Sequence, residues 1–279
     1  MGPLVDPFVD NEFMLRALGA GVLVSLCCAV VGTYVVLRGL AFIGDALAHG
    51  VLPGVAIAAI LGLPVIAGAA AGAAVMIGGV GLVTRRTRLS GDSAIGLLFV
   101  GLLALGVLIV SAADSLTGDL EAILFGEFLG VDSADVWFQV VTTLSVALVA
   151  AWSARPFLLL CLDPEQAAAM GYRVAVHHRV MLALVAATIV ASFQTVGALL
   201  VFGMLLAPAG TGALVSRRVG SMMAVAAAVG VFATYLGLLA SYHFAWAASA
   251  AVVVVAVGIF FVVFAVKGAV KGAVRGTGQ

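Results

Sequence analysis

Charge is scarce in this chain. Only 9% of its 279 residues are charged, where an ordinary soluble domain carries ~25%. The 13 basic and 13 acidic residues cancel, which excludes the basic stripe that a nucleic-acid binder needs to neutralise phosphates. Cysteine is equally sparse. Cys27 and Cys28 adjoin in an apolar run and Cys161 sits at the edge of a polar loop, so neither a disulfide framework nor a thiolate metal site is encoded. The sequence also lacks a G-x-x-x-x-G-K-[ST] phosphate loop, a nucleophile elbow and an HExxH motif. Any ATP hydrolysis therefore belongs to another chain.

Apolar residues, by contrast, make up 64% of the sequence. A bilayer core takes ~20 apolar residues per helix, so this content fills roughly nine crossings and leaves no room for a separate soluble domain. Breaking the apolar stretches at charged and turn-like residues predicts spans at 13–37, 42–62, 64–84, 94–112, 136–154, 179–195, 197–215, 219–241 and 245–266. Open sheet edges cannot face lipid. The expected fold is thus all-α: a polytopic membrane bundle of about nine helices, eight being the alternative count, in one domain over 1–279.

Nine helices with the amino terminus outside and the carboxyl terminus inside place twelve of the thirteen basic residues on the inner side. These are Arg38, Arg85, Arg86, Arg88, Arg155, Arg173, Arg179, Arg217, Arg218, Lys267, Lys271 and Arg275, with Arg16 alone outside, as the positive-inside rule requires. Asp6, Asp10, Glu12, Asp114, Asp119, Glu121, Glu127, Asp132 and Asp135 fall outside. The amino terminus lacks a basic n-region and is read as retained. The basic segment 267–279 is read as a tail on the inner side that interacts with anionic lipid.

Polar residues inside the apolar chain carry the functional signal. Asp45 and His49 lie in the second span, within Ala41 to Gly54. An intramembrane carboxylate costs ~2.5–3.5 kcal/mol on insertion scales, so it faces a bundle interior or an aqueous cavity. Four residues apart, the two side chains share a helix face and can ligate one ion. A plain Asp–His hydrogen bond between helices is the alternative. Pro53 has no N–H for the carbonyl of His49, which adds an oxygen beside the imidazole. Carboxylate, imidazole and carbonyl suit Mn(II), Fe(II) or Zn(II). His243, His177 and His178 are better read as interfacial.

Three further segments stand out. In Leu162 to Arg173, Asp163 is placed as an N-cap, Pro164 at the first helical position, Gln166 three residues after the cap and Gly171 at the stop, which predicts a short helix outside the bilayer. In Gly197 to Gly212, small residues permit close packing and Pro208 is a predicted kink that frees the carbonyl of Met204. Gly68 and Gly72 form a GxxxG pair whose partner helix the sequence does not identify.

These residues resemble the membrane permease subunits of bacterial ATP-binding cassette importers for manganese, zinc and iron. The similarity runs from about Phe13 to Val266. It is carried by Val36-Leu37-Arg38, Ala41 to Gly54, Leu124-Phe125-Gly126, Asp163 to Gly171 and Gly197 to Thr211, of which the Ile43 to Gly54 run is the most specific. The resemblance implies a bacterial cytoplasmic membrane protein in which two permeases, identical or homologous, form the path. Separate cytoplasmic ATPases drive it, and an extracytoplasmic solute-binding protein delivers the cation. No cofactor is bound permanently; Mn, Zn or Fe is the cargo. Asp45 and His49 then match the metal ligands on the path, with Pro53 and Pro208 as helix breaks along it. The segment Asp163-Pro164-Glu165 to Gly171, within 161–173, matches the ATPase-coupling helix. The chain departs from many relatives at Ala209-Gly210, where they have two alanines, and at Ala248-Ser249-Ala250, where they have Pro-Ser-Gly. The pattern is closer to manganese and iron members than to zinc members. An ion-gradient-driven carrier and a non-transporting anchor or sensor are the competing readings.

Overall fold

The computed structural model describes residues 6–113 and 128–276, and among these every regular element is an α-helix. In chain order they are α1 (Asp6–Asp10), α2 (Glu12–Leu37), α3 (Ala41–Gly50), α4 (Leu52–Ile60), α5 (Val65–Arg86), α6 (Gly91–Ala112) and α7 (Ser133–Trp152). There follow α8 (Ala154–Leu162), α9 (Pro164–Ala169), α10 (Val174–Val196), α11 (Ala198–Val215), α12 (Val219–Phe244) and α13 (Ala248–Gly276). By length and apolarity α2, the α3–α4 pair, α5, α6, α7, α10, α12 and α13 can each cross a membrane, while the apolar stretch of α11, Leu200–Val215, is shorter. The acidic residues Asp114, Asp119, Glu121 and Glu127 and the motif Leu124-Phe125-Gly126 lie outside the described residues.

Local chemistry sets the helix ends. Ser90 accepts from the Ser93 N–H at 3.2 Å to start α6. Asp132 and Asp135 form a capping box at the start of α7, each satisfying a backbone donor that lipid cannot. At the end of α2, Gly39 takes φ +68°. Its N–H bonds the Val36 carbonyl, and that of Leu40 bonds Val35. This is a Schellman stop, which needs a left-handed residue and so favours glycine. It turns the chain directly into α3.

Two stretches add detail to the predicted spans. The span predicted at 42–62 is interrupted at Val51, because Pro53 sits in the first turn of α4 and cannot continue the ladder from α3. The basic stretch read as a tail continues α13 as far as Gly276, since it contains no proline and each of its glycines costs only ~1 kcal/mol in a helix. The short helices α1 and α8 were not expected.

Close packing follows the small residues. α2 is largely enclosed by α7, α10, α11 and α12, whereas α6, α7 and α13 leave most of their surface outward. Three backbone approaches pin the bundle. A Cβ on Gly32 would fall on the Leu205 carbonyl of α11, one on Gly237 of α12 would lie 2.5 Å from the Val252 Cα of α13, and one on Gly68 would fall on the Gly54 carbonyl of α4. The partner of the Gly68 and Gly72 pair is therefore α4. Hydroxyls bridge the interior: Ser25 of α2 lies 3.1 Å from Thr234 of α12, and each also bonds its own helix four residues back.

Gly68→Ala forces a methyl group into the Gly54 backbone, a strain of ~1–3 kcal/mol. Gly78, on the same helix, has open space around it. Thermal unfolding in detergent is expected to drop for Gly68→Ala and to stay unchanged for Gly78→Ala.

Candidate functional site

α3 is ten residues long and is held on most of its circumference. Ile43, Gly44, Ala46, Leu47, Ala48 and Gly50 are buried against α5, α6, α10 and α11. Gly44 is the contact point with α11, since a Cβ there would sit 2.9 Å from Leu205 Cδ2. The face left open carries Phe42, Asp45 and His49. Asp45 and His49 are 26% and 30% exposed, with His49 Nε2 3.4 Å from Asp45 Oδ1. That separation is long for a hydrogen bond. It is close to the roughly 3.0–3.5 Å that separates adjacent ligands each ~2.1 Å from a metal ion. Phe99 of α6 walls the pair on one side, its ring 6.0 Å from that of His49 and 5.7 Å from that of Phe42.

Among the described residues no group of three or more His, Cys, Asp or Glu side chains converges as a metal cage. Asp45 and His49 could together offer an ion two ligands, the other coordination positions being left to water, to backbone oxygen or to another chain.

The prolines play different parts. Pro53 breaks the helix one turn beyond His49, and the Val51 N–H bonds the Leu47 carbonyl at 3.2 Å. Pro53 itself is buried beside an apolar cavity of about 320 Å³ between α4, α5 and α6, away from the polar face. Pro208 lies within α11, which continues through it.

The other histidines are elsewhere. His243 places Nδ1 2.9 Å from the Leu239 carbonyl near the end of α12. His177 places Nδ1 3.1 Å from the Arg173 carbonyl in the first turn of α10. Of the acidic residues expected outside, Glu12 pairs with Arg16 at 2.6 Å and Asp132 lies 3.8 Å from the same guanidinium, tying α2 to α7.

A second feature adjoins the first through α2. Asp163 accepts hydrogen bonds from the N–H groups of Glu165 at 2.9 Å and Gln166 at 3.1 Å, starting α9 with Pro164 in its first turn. Gly171, at φ +86°, ends it, with the Tyr172 N–H on the Ala167 carbonyl. Pro164, Glu165 and Gln166 are exposed and Ala167 alone in this helix is buried. α9 follows α8, and α8 is fastened to the end of α2 at three points. The Arg38 guanidinium donates to the Leu160 carbonyl, the Cys161 thiol donates to the Tyr34 carbonyl at 3.9 Å, and the Tyr34 and Phe157 rings meet edge to face at 5.2 Å. Burial pushes the Cys161 thiol up from its ordinary value, with Arg38 pulling the other way. Arg38 is two residues from Leu40, the cap of α3. Sequence reasoning missed this junction; the only signals were a lone arginine after a span and a proline in the first turn of a short apolar run.

Comparison with known proteins is consistent with these features. The manganese transport system membrane protein MntC of Listeria monocytogenes is 38% identical over 260 residues, covering 93% of this chain and 92% of the relative. The chelated iron transport system membrane protein YfeD of Yersinia pestis is 36% identical over 262 residues, covering 92% and 86%. The solved structure of PsaBC from Streptococcus pneumoniae in complex with Fab superimposes with a TM-score of 0.84 at 31% identity, over 94% of both chains. The model of the ABC 3 transport family matches residues 10–267, and the chain, a multi-pass membrane protein, belongs to that family.

Proposed function

We propose that this chain is the permease subunit of an ATP-driven importer of divalent transition-metal cations, with manganese the favoured cargo and iron and zinc within its range. The observation that carries this reading is the Asp45–His49 pair at 3.4 Å on the one open face of an otherwise enclosed helix. Relatives named for manganese and for iron transport support the choice of metals.

In this reading a second permease, identical or homologous, covers the open face of α3 and completes the path. Positive charge of the cation replaces the solvent that the carboxylate loses on burial. Two ligands hold the ion briefly, as a conducting site must. A solute-binding protein delivers the metal from outside. ATP is hydrolysed on separate cytoplasmic chains, which receive α9. Displacement of α9 is passed through α8 to Arg38, and from there across the Gly39 turn to the helix that carries both ligands. Asp163, Pro164, Glu165 and Gly171 shape the docking helix; Arg38 is its link to the site.

The primary test is ATP-dependent uptake of radiolabelled Mn(II) into vesicles holding the permease, its ATPase and its binding protein. Asp45→Ala and His49→Ala are each expected to lower uptake at least ~10-fold, the factor that ~1.4 kcal/mol of lost ion binding produces, with assembly of the complex intact. Undiminished uptake in both variants would refute the ligand assignment, and uptake without ATP would favour a gradient-driven carrier.

Coupling is tested separately. Arg38→Gln is expected to preserve ATPase capture but to lower the metal moved per ATP hydrolysed, both read in the same vesicles. Asp163→Ala removes a cap worth ~1 kcal/mol and is expected to weaken ATPase capture itself, measured by co-purification. A normal transport ratio in Arg38→Gln would refute the proposed link.

A further inference from the structure

α7 ends at Trp152 and α8 begins at Ala154, so a single residue, Ser153, joins them. Beside this joint lies a cavity of about 350 Å³, walled by Trp152, Ser153, Arg155 and Pro156 on one side and by Tyr172 and His177 on the other. No carboxylate lines it.

The donors around this cavity are unspent. Ser153 is the N-cap of α8 yet makes no side-chain capping bond, although it is only 4% exposed. Its carbonyl receives the Phe157 N–H at 2.9 Å, while its hydroxyl has no partner among the described residues. The Arg155 guanidinium and the Tyr172 hydroxyl also lack protein partners among the described residues. His177 directs Nδ1 to the Arg173 carbonyl, which leaves Nε2 free, and its ring stands edge-on to Tyr172 at 5.8 Å. The carboxylate of Asp163, at the other end of α8, is occupied by the amides of α9. A cationic side chain, an imidazole and two hydroxyls, with no carboxylate among the lining residues, are the donor set that a phosphate anion takes.

The surface leading to the cavity indicates where that anion comes from. Val141, Leu144, Leu148 and Trp152 are exposed at helical spacing along one face of α7, with Trp152 88% exposed at the rim. This stripe runs along a membrane-crossing helix to its tryptophan-bearing end, the position that interfacial tryptophans favour. An acyl chain on the stripe would bring its headgroup to Arg155.

We propose that this cavity binds the phosphate headgroup of an anionic phospholipid, with Arg155, His177, Tyr172 and Ser153 as its ligands. Its walls come from the start of α8 and from the turn that follows α9, so a bound headgroup bridges the chain on both sides of α9. That consequence for coupling rests on the function proposed above; lipid binding does not.

The test uses the full-length permease in its complex, reconstituted in nanodiscs of phosphatidylcholine with or without phosphatidylglycerol, then stripped stepwise by detergent and weighed by native mass spectrometry. The unaltered protein is expected to retain phosphatidylglycerol over phosphatidylcholine. The double variant Arg155→Gln, His177→Gln is expected to lose that preference by about tenfold, the factor that one lost charged hydrogen bond produces. Arg86→Gln, a basic change at the end of α5, is expected to retain it. Because retention is compared only among variants with the same unfolding temperature, misfolding does not imitate the result. Equal phosphatidylglycerol retention in the double variant would overturn the site. A thermal shift of lipid-stripped protein by millimolar inorganic phosphate, without retained phosphatidylglycerol, would overturn the lipid in favour of a free anion.

Discussion

Lipid tails are as apolar as leucine, so nothing in a bilayer drives apolar helices together in the way that water does. What holds this bundle is contact between backbones at positions without a side chain. Gly32 against Leu205, Gly54 against Gly68 and Gly237 against Val252 each bring two helices to a distance that a single methyl group would prevent. Hydroxyls such as those of Ser25 and Thr234 add interior hydrogen bonds at the same close range. These contacts tie α2, α11, α12 and α13 into one group and α4 and α5 into another, with α10 touching both.

The placement of α3 depends on this geometry. α11 comes close to α2 at Gly32, and the same residue of α11, Leu205, then meets α3 at Gly44. One leucine thereby sets two neighbours, and the position next to Asp45 is fixed by a contact on the far side of the helix. Because α3 is short and covered on its other faces, its two polar residues have a single direction in which to point. The Schellman stop at Gly39 and the break at Val51 bound the helix on either side. The Asp45–His49 pair is thus positioned by packing on the other faces of α3.

Much of this was legible in the residues. Long apolar runs punctuated by arginine located eight helices long and apolar enough to cross a membrane, while the run predicted at 197–215 forms the shorter α11. The spacing of Asp45 and His49 put both on one face, and the Asp163, Pro164 and Gly171 pattern located a short capped helix to within a residue or two. These are local signals, written within a few positions of one another. Contacts between distant segments were not legible in the same way. Arg38 and Leu160 are 122 positions apart, and nothing in either neighbourhood names the other. The Gly68 and Gly72 pair announced a close approach without naming α4. α8 was missed because nine residues, apolar on balance, resemble the frayed end of a span.

A seat with two protein ligands also bears on discrimination among ions. For a carboxylate and an imidazole the intrinsic order of affinity rises from manganese through iron to copper and remains high at zinc, so thermodynamic preference at such a seat runs against manganese. Within this chain geometry offers no remedy, because two ligands impose no coordination number. On the function proposed above, the choice of ion is then made before the ion arrives, by whatever hands it over, and the seat in α3 is a crossing rather than a checkpoint. Its tolerance is the property that would let closely similar chains serve systems named for different metals.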